Sequence, residues 1–122
     1  HGVIVPKHHA CKLTDTFKKV ASGAAEFVPL FVVNNLVQTM KKMQQNNIWF
    51  YGLDADASET IHEIQFHRRR TLILGAEGKG LRQLTKKTCD ALVQIPMTGN
   101  VASLNVSVAA GISLFCASNY KV

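Results

Sequence analysis

Short runs of β-branched and aromatic residues recur along this chain, each parted from the next by a polar or helix-patterned stretch. Val3-Ile4-Val5, Leu30-Phe31-Val32-Val33, Ile48-Trp49-Phe50-Tyr51, Thr71-Leu72-Ile73-Leu74 and Leu92-Val93-Gln94-Ile95 are the strand candidates, punctuated by Pro6, Gly52, Gly75 and Pro96. Helical signals lie between them. Thr14 or Asp15 can cap a helix with Phe17, Val20 and Ala21 on one face, and Pro29 separates it from the second strand. Asn34 or Asn35 can cap another, in which Leu36, Met40 and Met43 fall on one face and the methionines read as core filling. Leu81 to Thr88 forms the next, and Leu104, Val108, Ile112 and Phe115 make the apolar stripe of a last helix. Residues 54–70 read as loop with at most a short helix. Strands alternating with helices predict an α/β layer fold around a mostly parallel sheet with flanking helices.

The composition fits such a fold. The chain has 122 residues, 47% of them apolar and 18% charged, which is ordinary globular composition and enough for one core without staples. No apolar run approaches the ~18 residues of a membrane span, and no signal peptide is visible at His1 to Lys12. A cytoplasmic protein without a membrane partner is the expectation. Cys11, Cys89 and Cys116 are odd in number and widely spaced, which argues against a disulfide framework or zinc ribbon. His8, His9 and Cys11 cluster, but a tight metal site needs further ligands, so no metal is expected.

Charge is unevenly distributed. The formal net charge is +6, and residues 62–122 carry eight Lys and Arg against Glu63, Glu77 and Asp90. Arg68, Arg69, Arg70, Lys79, Arg82, Lys86 and Lys87 gather around one glycine-rich stretch in sequence. A basic half suits a polyanionic partner such as RNA, through phosphate neutralisation and counterion release. A solvated turn facing away from any cleft is the plainer reading of the arginine triplet.

Ligands of open α/β sheets bind outside the carboxyl ends of the strands, and two loops qualify by position. Gly75-Ala76-Glu77-Gly78-Lys79-Gly80-Leu81 follows a strand and precedes a helix, so its backbone can approach a ligand closely. It is neither a dinucleotide fingerprint nor a P-loop, because Gln83 stands where the former needs glycine and no Gly-Lys-Ser/Thr is present. Glu77 is the one carboxylate within it. Ile95-Pro96-Met97-Thr98-Gly99-Asn100 can present an apolar wall to a flat heterocycle, and Ser103 and Asn105 follow at the start of the last helix. A tight loop with an ordinary serine cap would explain the same residues. No nucleophile–base set stands out.

Together these loops resemble a known family. Leu74 to Leu81, Ile95 to Gly99 and Ser103-Leu104-Asn105-Val106-Ser107-Val108-Ala109 are similar, in order and spacing, to the second and third motifs of the SpoU branch of the SPOUT RNA methyltransferases. The upstream half, from Val3-Ile4-Val5-Pro6-Lys7 through Lys19 to Glu26 and Val28-Pro29-Leu30, is similar too, so the resemblance covers essentially the whole chain.

The resemblance implies an α/β fold with a C-terminal deep trefoil knot, which no feature of composition or periodicity predicts. It implies S-adenosyl-L-methionine as cofactor, with methyl transfer to a ribose 2′-hydroxyl of RNA by a homodimer. A guanosine of large-subunit (23S) ribosomal RNA is the leading target; a transfer RNA is the alternative. Carried onto this sequence, Gly75, Ile95, Met97 and Leu104 would contact the cofactor, and Glu77, Ser103 and Asn105 would line the catalytic pocket; the charge clustering, separately, makes Arg68, Arg69, Arg70, Lys79 and Arg82 the candidate RNA contacts. The family's first motif, an Asn followed by an Arg that helps activate the hydroxyl, would precede Val3-Ile4-Val5. Neither it nor the N-terminal RNA-binding domain of near relatives is in the sequence, so residues 1–122 are read as the C-terminal part of a larger enzyme. A non-catalytic RNA-binding fragment is the rival reading.

Overall fold

In a computed structural model, residues 1–9, 28–75, 79–97 and 106–118 are described. They fall into two compact units, residues 1–39 and 40–122. In the first unit β1 (Val3–Pro6) and β2 (Leu30–Val33) pair in parallel, with Val3 opposite Leu30 and Val5 opposite Val32. The Val3 N–H donates to the Pro29 carbonyl at 3.0 Å and so starts the ladder. Residues Lys7–His9 form a 3-10 turn after β1. The helix expected from Thr14 or Asp15 lies outside the described residues, as does Cys11.

Helix α1 (Leu36–Gln44) begins in the first unit and runs into the second. Asn35 is its cap: its Oδ1 accepts the Gln38 N–H at 3.1 Å, satisfying one of the free amides of the first turn. Met40 is fully buried, as a core-filling methionine should be.

The second unit is built on a four-stranded, all-parallel sheet in the order β4-β6-β3-β5, made of β3 (Trp49–Leu53), β4 (Glu59–Thr60), β5 (Arg70–Ile73) and β6 (Ala91–Gln94). Strand β3 is central, with Gly52 opposite Ile73 on one side and Leu92 on the other. Side chains alternate across the sheet. Tyr51, Leu53, Leu72, Ala91, Val93 and Ile95 share one face, packed with Ile61, Ile64 and Phe66 of the β4–β5 connection and with Cys116 and Ala117 at the end of α3 (Val106–Ala117). Gly52 belongs to the opposite face, toward Leu81 and Cys89, which bracket α2 (Gln83–Thr88). Residues from both layers therefore cover the sheet.

Several strand boundaries differ from the sequence reading because pairing rather than apolar content sets a strand's ends: β1 runs on through Pro6, which pairs with Val33, and β3 begins at Trp49, not Ile48. Gly52 continues β3 instead of closing it: a Cβ there would lie 2.7 Å from Leu81 and 2.8 Å from Cys89, so only glycine lets these side chains reach the sheet. Strands β5 and β6 each start and stop one residue earlier than expected, leaving Leu74 and Ile95 beyond the ladder. Strand β4 lies within the stretch read as loop. Two polar residues carry no periodic signal, and only the pairing of Glu59 with Val93 and Thr60 with Gln94 makes them a strand.

The last helix departs most. Val108, Ile112 and Phe115, three of the four residues of its expected stripe, are exposed, Phe115 to 72%, together with Leu114 at 63%. Among its described side chains, Ser113 and Ala117 are buried. The helix is apolar nearly all round, so its sequence alone does not say which side is core.

Candidate functional site

Because the four strands are parallel, their carboxyl ends share one edge of the sheet. The loops after β5 and β6 leave that edge on either side of β3, so they start about 10 Å apart, twice the spacing between strands. Gly75 stands in the first loop; Ile95, Pro96 and Met97 form the start of the second. Ile95 and Met97 are half-buried, and Pro96 between them is exposed. Ile95 is anchored by packing against the core beneath it.

Gly75 is the tightest point of this edge. A Cβ built on it would overlap the backbone of Gly80 and Leu81, where the chain returns from the glycine loop toward α2. Gly80 itself has φ +67°, in the left-handed region that glycine adopts without strain. The two glycines thus close the loop on itself, backbone against backbone. The same geometry shows that a side chain at Gly75 would break the turn as well as crowd any ligand. Lys79 and Arg82 flank this closure and are exposed.

The central strand contributes a third, pinned loop at the same edge. Asp54 follows β3, and its carboxylate pairs with the Lys86 ammonium of α2 at 2.7 Å and accepts the Asp56 N–H at 3.1 Å. The Lys86 hydrogen bond, followed by that of the Asp56 amide, holds the Asp54 carboxyl below its ordinary value of 3.8. The partner ammonium is correspondingly raised, first by the Asp54 hydrogen bond. Gln94, the last residue of β6, donates from Nε2 to the Ala57 carbonyl at 2.6 Å, and its own carbonyl accepts the Ile61 N–H at 2.8 Å. Residues 54–61 are thereby fastened to α2 and to the strand that presents Ile95. Sequence reading missed this loop, because neither Asp54–Lys86 nor Gln94–Ala57 has a local spacing that marks it. Cys89, behind the sheet, is no reactive thiol: burial first, then the Asp90 charge, pushes it up to about 11.

Of the residues singled out from sequence, the structure brings Gly75, Lys79, Arg82, Ile95 and Met97 to this carboxyl edge. Glu77, Ser103, Leu104 and Asn105 lie outside the described residues. Arg68, Arg69 and Arg70 are elsewhere. They stand at the amino end of β5, up to about 20 Å of extended chain from Gly75. Arg70 pairs with Trp49 at the start of the ladder, and its guanidinium donates to the carbonyls of His67 at 3.0 Å and Arg68 at 3.2 Å. Arg68 and Arg69 are exposed. Adjacency in sequence to the glycine loop is thus not adjacency in space.

Residues 1–115 match the SpoU rRNA Methylase family. The chain belongs to that family. SpoU relatives with 52% identity over 115 residues are the 23S rRNA (guanosine-2′-O-)-methyltransferases RlmB of Escherichia coli and Salmonella typhimurium; the match covers 94% of this chain and 47% of each relative. The chain therefore spans about half the length of the curated relatives it matches. Among solved SpoU structures, the methyltransferase AviRb of Streptomyces viridochromogenes, in complex with AdoMet, superposes with a TM-score of 0.85 at 27% identity, over 96% of this chain and 46% of that one. An AdoMet-bound rRNA methyltransferase from Sinorhizobium meliloti shares the fold with a TM-score of 0.71 at 23% identity, over 95% of this chain and 44% of its own. The α/β architecture and parallel sheets expected of a SpoU chain are those observed. No helix among the described residues is long and apolar enough to cross a membrane.

Proposed function

We propose that this chain is the cofactor-binding part of an S-adenosylmethionine-dependent RNA 2′-O-ribose methyltransferase that acts on a guanosine of 23S ribosomal RNA. The observation that carries the reading is the pairing, at one sheet edge, of a side-chain-free turn at Gly75 with the apolar Ile95–Met97 loop, in a SpoU chain 52% identical to RlmB. The residues fit the cofactor: glycine offers backbone at close range, and half-buried Ile95 and Met97 suit a flat adenine. Leu104 completes the proposed cofactor contacts, in the C-terminal segment expected to form the trefoil knot.

Bound S-adenosylmethionine supplies a methyl group made electrophilic by a positively charged sulfur. The chain's part is then alignment of a ribose hydroxyl and help in removing its proton. Glu77, Ser103 and Asn105 are assigned to the pocket that orients that hydroxyl, and Lys79 and Arg82, exposed beside the glycine turn, to the approaching phosphates. Nothing in this chemistry requires a metal.

A homodimer is part of the proposal. Val108, Ile112, Leu114 and Phe115 leave an apolar side of α3 exposed, which a second copy would cover. Light scattering at micromolar concentration is expected to give twice the chain mass; a monomer would remove the dimer. The activity is tested with labelled S-adenosylmethionine offered 23S rRNA fragments and transfer RNA. Label recovered as 2′-O-methylguanosine from the ribosomal fragment supports the reading. Label in transfer RNA alone would move the substrate, and binding of RNA without transfer would leave the non-catalytic module.

A further inference from the structure

The amino edge of the same sheet carries a second surface that the cofactor chemistry does not use. Trp49, the sole tryptophan, opens β3 and remains 41% exposed although its ring stacks on His67, with centroids 5.1 Å apart and planes 14° from parallel. The stack is built in. The His67 N–H donates to the Tyr51 hydroxyl at 2.8 Å, and the Arg69 N–H donates to His67 Nδ1 at 3.2 Å. The Trp49 N–H in turn donates to the Arg69 carbonyl at 2.9 Å. These bonds hold the indole, the imidazole and the backbone of Arg68 and Arg69 in one arrangement, with both arginines exposed beside it. Asp90, at this edge, is already engaged: its carboxylate accepts the Phe50 N–H at 2.7 Å and a Gln44 Nε2 hydrogen at 3.2 Å.

An exposed, pre-oriented indole whose strand pairs with the loop carrying two exposed arginines matches what single-stranded nucleic acid requires, a face for a base and cations for the phosphates beside it. We infer that Trp49, stacked on His67, receives an unpaired base of the RNA while Arg68 and Arg69 hold its phosphates, at the sheet edge opposite the cofactor loops. This rests on the proposed RNA substrate and adds a second contact region to it. Arg70, tied to the carbonyls of its own loop, shapes the surface instead of binding.

Because Trp49 is the only indole, its fluorescence reports this contact in the unmodified protein. A short single-stranded oligoadenylate is titrated in, and then an abasic ribose-phosphate chain of equal length. A saturable quench with the first and none with the second supports a stacked base. In labelled-RNA binding, Trp49→Ala should weaken oligoadenylate about tenfold while Trp49→Phe keeps most of the affinity. Joint replacement of Arg68 and Arg69 by Ala should lower the salt slope by about two phosphate contacts. Methyl transfer from labelled cofactor is followed in the same samples. Transfer with an unquenched Trp49 overturns the stacking surface alone. Loss of RNA binding and transfer together in the unmodified protein overturns both it and the proposed function. Trp49 shielded from a neutral quencher before any RNA is added also overturns the surface.

Discussion

The two edges of the four-stranded sheet are built on opposite rules. At the carboxyl edge, backbone meets backbone at Gly75 and Gly80, and the neighbouring loops are pinned by Asp54–Lys86 and Gln94–Ala57. At the amino edge, large side chains stand outward: Trp49 on His67, with Arg68 and Arg69 exposed beside them. The first edge suits a small ligand held in fixed geometry; the second suits a polymer held by charge and stacking. A chain with the proposed function, aligning a methyl donor at one place and holding RNA at another, would separate the tasks in this way.

Gly75→Ala should separate the edges most sharply. The added methyl group has no space against Gly80 and Leu81, so the turn must open at a cost of about 2–3 kcal/mol. Calorimetry is expected to show no S-adenosylmethionine binding, while circular dichroism still shows a folded chain with a lowered melting point. Unchanged cofactor affinity would remove the glycine turn from the site.

Tyr51→Phe is the amino-edge counterpart. It leaves the His67 amide without its acceptor, which should cost about 1–2 kcal/mol in urea unfolding and loosen the Trp49–His67 stack. Trp49 emission should shift toward that of a solvent-exposed indole. A spectrum identical to that of the unmodified protein would show that the hydroxyl does not organise this surface.

The smallest effect concerns pH. Asp54 is held below 3.8 in the folded chain, so its contribution is complete above that value and is lost as pH falls through the folded value. Lys86→Met should therefore lower stability at neutral pH and make no difference once Asp54 is protonated in both states. Acid titrations of the two proteins should converge at the low end. Curves that differ only below the carboxylate range would contradict the assignment of the pair.

How much of this was legible beforehand follows from which interactions are local. Strand β2 and the Asn35 cap rest on signals a few residues wide and stand where expected, and β1 differs only in running on through Pro6. The Gly75 and Ile95–Met97 loops were findable because strand ends mark them. The Asp54–Lys86 and Gln94–Ala57 ties were not, since they join residues more than thirty positions apart that no pattern links. The distance of the arginine triplet from the glycine loop was hidden for a related reason. One strand separates Arg70 from Gly75, which is short in sequence but crosses the sheet from edge to edge. The stripe on α3 misled because nearly every face of that helix is apolar.

Backbone amide NMR during titration with S-adenosylmethionine tests the division of labour most directly. The account predicts the largest shifts at Gly75, Ile95 and Met97, with Trp49, Arg68 and Arg69 unmoved. Shifts centred on Trp49 and its neighbours, or none at saturating cofactor, would contradict it.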